Sequence, residues 1–155
     1  MSYEKSISEA KQEFTNIVRE VGMGYEVIVS NHKSPKRGRV SIISTDVYED
    51  ILKQGFKFNP IIEKDEESKG FTIFLNELLI HGDGPTTYEA LFDLASNVMD
   101  YADDYIKRFS FFRQIDNRKS HYPYLRRINK CSDINEVMEV IAECHIDLQQ
   151  AILRK

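Results

Sequence analysis

Apolar residues recur along this chain at two spacings, and the switches between them divide it into elements. From Ser6 the spacing is helical, with Ala10, Phe14, Ile17, Val18 and Val21 on one face. Ser6-Ile-Ser-Glu9 marks the start: the serine hydroxyl accepts from the amide three residues on, and the glutamate reaches back to the cap amide. Gly22 and Gly24 mark the end. Two β-branched runs follow, Tyr25 to Ser30 and Arg39 to Ser44. The loop between them holds Pro35 and Gly38, which predicts an antiparallel hairpin with a long tip. Ser44 or Thr45 then caps a short helix to about Lys53, with Val47, Tyr48, Ile51 and Leu52 inward.

Past Gln54-Gly55 the pattern changes to strands. Phe58 to Glu63, Gly70 to Leu75 and Leu78 to His81 predict a β-meander, its first turn being the acidic stretch Asp65 to Gly70. Thr86-Thr-Tyr-Glu89 is a second capping box, opening a helix with Leu91, Leu94, Ala95, Val98, Ala102 and Ile106 inward. Arg108 to Lys130 reads as irregular or short-helical around Pro123. Asp133 caps a final helix from Ile134 to about Leu153, with Val137, Ile141, Cys144, Leu148 and Ile152 in line. The class is α+β: a helix packed on a β-hairpin, then a βββα unit and a C-terminal helix. Two regions are expected, residues 1–54 and residues 55–155.

Composition narrows the class without naming a chemistry. At 155 residues, 41% hydrophobic and 30% charged, the chain can bury a core. It has no apolar run near the roughly 20 residues needed to cross a bilayer and no signal-like start, so a cytoplasmic protein with no membrane partner is expected. Cys131 and Cys144 have no CxxC partner and lie in helix-like sequence, which predicts reduced, buried thiols. No metal site and no cofactor are expected.

Charge is distributed more unevenly than the net −4 suggests. The hairpin tip, Asn31 to Arg39, carries His32, Lys33, Lys36, Arg37 and Arg39 with no acid. Such a loop can meet phosphates, or can simply be a solvated tip. Residues 54–106 hold eleven acidic side chains against three basic. Asp93, Asp100, Asp103 and Asp104 fall on the outer side of the predicted long helix, where they could steer a basic partner. Residues 107–130 hold eight basic side chains against Asp116, interleaved with Phe109, Phe111, Phe112, Tyr122 and Tyr124. That stretch fits either stacking on single-stranded nucleic acid or core and dimer contacts rimmed by arginine.

No catalytic constellation assembles. Asp65, Glu66 and Glu67 cluster in a turn without a second carboxylate on a strand. His81 and Asp83, beside Gly82 and Gly84, are two ligands without a third and read as a turn into the Thr86 cap. Cys144 and His145 are adjacent on a helix and point about 100° apart, which makes them poor co-ligands.

The stretch "ISEAKQEFTNIVREVGMGYEVIVSNHKSPKRGRVSIISTDVYEDIL" resembles the N-terminal domain of the Phd/YefM antitoxins in its order of strand, helix, hairpin and helix. The matching positions are Ala10, Lys11, Phe14, Ile17, Gly24, Glu26 to Val29, Val40 to Ile43 and Leu52. The resemblance implies a homodimer that binds its operator DNA, with Lys11 and the basic tip (His32, Lys33, Lys36, Arg37, Arg39) as contacts. The family's usual arginine before the helix falls here near Ser8. Residues 58–106 look like the HicB antitoxin core through Glu63, Asp65, Gly70, Phe71, Leu78, Gly82, Thr87, Glu89, Ala90 and Ala95. That resemblance implies a non-catalytic, toxin-binding βββα unit. Together they imply an antitoxin of a type II toxin–antitoxin system, with a cognate toxin, a RelE-type ribonuclease, met by Asp93, Asp100, Asp103 and Asp104. The alternative is a DNA- or RNA-binding regulator without a toxin.

Overall fold

A computed structural model describes residues 2–31, 33–34 and 38–155. Within them are two three-stranded sheets and eight α-helices, which is a mixed α+β fold. The chain resolves into two compact units, residues 1–51 and 52–155.

In the first unit, strand β1 (Ser2–Ser6) lies parallel to β2 (Glu26–Ser30), and β3 (Arg39–Ile42) runs antiparallel to β2 as expected of the hairpin. Ser6 ends β1 and caps α1 (Ile7–Gln12), with both hydrogen bonds of the capping box present. The single helix expected from Ser6 to Val21 is instead two, α1 and α2 (Phe14–Gly22), broken at Glu13 (φ −107°, ψ 14°). Glu13 takes an ion pair from Lys5 on β1, which holds the break against the sheet and raises the lysine's pKa above its ordinary range. The break rotates the expected apolar face. Ala10, Ile17, Val21 and Val27 form the core, whereas Phe14 and Val18 stand 58% and 54% exposed. Gly24, at φ +99°, turns the chain from α2 into β2, in a conformation that costs a side chain energy.

Helix α3 (Thr45–Gly55) runs through the break expected at Gln54-Gly55. Of its four expected inward residues, Leu52 alone is buried and Tyr48 half-buried. Val47 and Ile51 are exposed.

The second unit is a β-meander covered on one face by helices. Strands β4 (Ile61–Lys64), β5 (Phe71–Leu75) and β6 (Ile80–Gly84) pair antiparallel in sequence order. The third strand begins two residues later than expected and includes His81-Gly-Asp-Gly84, read from sequence as a turn. Its glycines serve close packing, because a Cβ on Gly82 would stand 2.2 Å from the backbone nitrogen of Leu94 and one on Gly84 2.5 Å from that of Ala90. Helix α4 (Thr87–Lys107), capped by Thr86, therefore lies directly on β6. It buries Ala90, Leu91, Leu94, Ala95, Val98, Ala102 and Tyr105, while the expected Ile106 is only half-buried.

The segment after α4 is more regular than expected: α5 (Phe109–Phe112), a 3-10 turn (Lys119–His121) and α6 (Tyr122–Asn129), whose first turn holds Pro123. The single C-terminal helix expected is split into α7 (Ile134–Ala142) and α8 (Ile146–Leu153). No glycine or proline signals this break. His145 leaves the helical region (φ −130°, ψ 102°) and its ring accepts from the amide of Leu148, while Gln149 donates to the Glu143 carbonyl (2.8 Å). Cys144, expected in the core, is exposed as a result.

Candidate binding surfaces

The basic surface of the first unit is built where β1 feeds α1. A cavity of about 380 Å³ is lined by Ser6, Ile7, Ser8, Lys11, Ser30, Asn31 and Lys33. Two of the expected DNA-contacting cations, Lys11 and Lys33, thus border one hollow, and Lys33 is oriented by its amide donating to Asn31 Oδ1 (3.1 Å). Arg39 is engaged at the neighbouring Glu4 (3.5 Å), whose other carboxylate oxygen accepts the hydroxyl of the buried Ser30. The pair is exposed on both sides and contributes little to stability. His32, Lys36 and Arg37 lie outside the described residues. The acids of α1 and its end are consumed internally, Glu9 by the Ser6 amide and hydroxyl (2.7 Å each) and Glu13 by Lys5.

The four aspartates expected to meet a toxin share α4 but not one role. Asp93 is half-buried and accepts the backbone amide of Asp83 (2.9 Å). Asp103 pairs with Lys107, raising the lysine's pKa through the hydrogen bond, and Asp104 pairs with Arg108 (3.3 Å). Asp100 is exposed. The acidic stripe is thus partly neutralised by the helix's own last turn. Asn97, one turn after Asp93, donates to the His81 carbonyl (3.1 Å), so the two side chains cap the outer backbone of β6. Sequence reasoning did not single out Asn97. The i,i+4 spacing of an acceptor and an amide on a helix that follows a glycine-rich strand is the signal available for it.

The basic, aromatic stretch is only partly interior: Phe112 is buried, Tyr122 and Tyr124 are half-buried, and Phe109 and Phe111 are exposed. Tyr105 stacks on Phe112 (4.8 Å between centroids), and Arg108 covers the rings of Phe111 and Phe112 at 4.7 and 5.3 Å. Tyr124 packs between Phe56 and Phe58. Arg127 donates to both oxygens of Glu143 (2.7 and 2.9 Å) and to the Phe56 carbonyl (2.8 Å), with its side chain only 8% exposed. Arg118 donates to the Tyr101 hydroxyl (3.4 Å), leaving that hydroxyl's proton for Nδ1 of the buried His121 (2.8 Å). Burial first, and Arg118 second, push the His121 pKa down, so the ring is held neutral. Phe112 and Tyr124 therefore make core contacts beside arginines, whereas Phe109 and Phe111 face outward.

The residues weighed for chemistry have structural occupations. Asp65 accepts the amides of Glu67 (2.8 Å) and Ser68 (3.3 Å), and its pKa is lowered, chiefly by the Ser68 hydroxyl. Asp83 accepts the Thr72 hydroxyl and lies 3.6 Å from His81. Burial raises the Cys131 thiol to about 11, which suppresses its thiolate. Among the described residues no group of three His, Cys, Asp or Glu side chains could hold a metal ion, and no helix is long and apolar enough to cross a membrane.

A family model for PHD-like proteins, described as antitoxin of toxin-antitoxin, RelE / RelB, TA system, matches residues 1–144. The chain belongs to this antitoxin family. Among solved structures, the antitoxin is similar to the antitoxin part of a proposed toxin/antitoxin system from Syntrophomonas wolfei subsp. wolfei. The two are 23% identical with a TM-score of 0.71, and the match covers 88% of this chain and 93% of that one, which establishes a common fold. No curated protein matches. Membership of this antitoxin family implies a toxin partner.

Proposed function

We propose that this antitoxin neutralises a RelE-type ribonuclease toxin by occlusion, without catalysis, and works as a homodimer that also represses its own operon. One observation carries the division of labour. The first unit leaves Ile7, Phe14, Val18, Met23, Tyr25, Val40, Val47 and Ile51 exposed around a core of four residues, whereas the second encloses a core of nineteen. An apolar surface of that density in so small a unit favours pairing with a second copy. It supports residues 1–54 as the dimerisation region, leaving residues 55–155 to meet the toxin. Asp100, and the outward faces of Asp103 and Asp104, would steer a basic toxin's approach. This reading follows the Phd/YefM likeness in the first region and the HicB likeness in the second.

Operator binding is favoured by the approach of Lys11 and Lys33 to one cavity, and by the sequence of the hairpin tip, which also carries His32, Lys36, Arg37 and Arg39. Each phosphate neutralised adds about 0.9 to the slope of affinity against salt. The test of the toxin reading is co-expression with the product of the adjacent reading frame. Growth arrest relieved by the antitoxin, with the two proteins co-purifying, is expected; undiminished arrest contradicts it. For repression, the purified chain is titrated onto its upstream DNA across a salt series. Lys11→Ala with Lys33→Ala should weaken binding uniformly across sequences and flatten the slope, and an unchanged slope removes these two lysines from the interface.

A further inference from the structure

The two edges of the second sheet are treated differently. Along β6 the outward backbone groups belong to His81 and Asp83, and α4 occupies one group of each: Asn97 donates to the carbonyl of one and Asp93 accepts the amide of the other. Side chains of α4 thus stand in the way of a partner strand there. This assignment fixes the opposite edge, because outward and inward backbone groups alternate residue by residue in an antiparallel ladder. His81 faces Phe74 and Asp83 faces Thr72 across β5–β6. Since the groups of His81 and Asp83 point outward, Phe74 and Thr72 turn theirs to β4, to Ile61 and Glu63. The amide of Asp65, in phase with these, does point inward, to the carbonyl of Gly70 (2.9 Å).

Ile62 and Lys64 therefore present their N–H and C=O groups outward. Among the described residues neither has a backbone partner beyond the sheet's own ladder. The strand around them is open, with Ile61 45% exposed and Glu63 and Lys64 exposed.

A second copy is a poor occupant. Antiparallel pairing of β4 with itself about Glu63 sets two glutamates face to face. Pairing about Ile62 sets Lys64 against Pro60, which has no N–H to offer. An extended segment of another protein meets neither obstacle. Its best sequence places a cation opposite Glu63, beside the exposed Glu66 and Glu67 of the adjoining turn, and an apolar residue opposite Ile61. We propose that the β4 edge takes up a basic, extended segment of the toxin as a fourth strand of this sheet. The identity of the occupant rests on the toxin-neutralising reading above.

Lys64→Pro tests this directly. It deletes an outward N–H and leaves the β4–β5 ladder whole, as proline on an edge strand does. Affinity of the full-length chain for the adjacent frame's product should fall about tenfold or more, while Lys64→Thr, which keeps the N–H and loses the charge, should bind as the wild type does. Amide exchange at Ile62 and Lys64 should slow in the wild-type complex. Wild-type affinity in Lys64→Pro, or unchanged exchange at these amides in a formed complex, overturns the strand-addition proposal alone. If the wild-type chain forms no complex at all, the toxin reading fails and this occupant with it.

Discussion

The second unit closes on itself and the first does not. Residues 52–155 cover one face of a three-stranded sheet with helices, enclosing nineteen buried apolar residues in the core and leaving seven large apolar ones exposed. Among the described residues of 1–51, four are buried in the core and eight large apolar ones are exposed. Both are α+β units with capped helices on a small sheet, so secondary structure does not explain the difference. Size does, in part: a short chain cannot bury enough surface to satisfy all its apolar residues. On the proposed reading, the first unit's leftover apolar surface is where a second copy pairs, whereas the second unit's core is complete within residues 52–155.

The comparison can be broken most forcefully at Gly82. In Gly82→Ala the new Cβ meets the Leu94 backbone, which no rotamer change can relieve, so the second unit should lose about 3 kcal/mol or more in urea unfolding. Arg127→Ala comes next. It strands the Glu143 carboxylate and the Phe56 carbonyl, at a cost of about 3 kcal/mol by the same measurement. Asp133→Ala removes the acceptor for the Glu136 amide at the start of α7 and should cost about 1 kcal/mol.

A pH series sharpens the contrast. His121 is neutral in the fold, with its pKa below the ordinary 6.5. As pH falls through 6.5 the unfolded chain gains a proton that the folded chain refuses. Stability of the second unit should then decline until the folded pKa is reached, and His121→Gln should flatten that decline. The smallest effect on stability is expected from Phe14→Ser with Val18→Ser, within about 0.5 kcal/mol for the single chain, although association between copies should be lost.

Capping made much of the fold legible. Ser6, Thr86 and Asp133 each mark a helix start through the chemistry of one hydroxyl or carboxylate, and all three accept the amide expected of them. Alternation placed the hairpin and the meander. What stayed hidden depends on contacts between distant residues. The break at Glu13 is accompanied by an ion pair to Lys5, eight residues away, and the break at His145 by side-chain caps with no glycine or proline to announce them. Gly82 and Gly84 read as a turn because their reason for being glycine is the helix α4, whose Glu89, Ala90 and Leu94 come later in the chain. At the candidate surfaces, sequence grouped the charges, but only coordinates show Lys11 and Lys33 sharing a hollow while Asp93 serves the sheet edge.

The measurement that bears most directly on the division of labour is the mass of the antitoxin–toxin complex by light scattering, for the wild type and for Phe14→Ser with Val18→Ser. Two antitoxins with two toxins in the wild type, and one of each with the toxin retained in the variant, is the predicted result. A wild-type complex holding a single antitoxin, or loss of the toxin on changing these two residues, would contradict it.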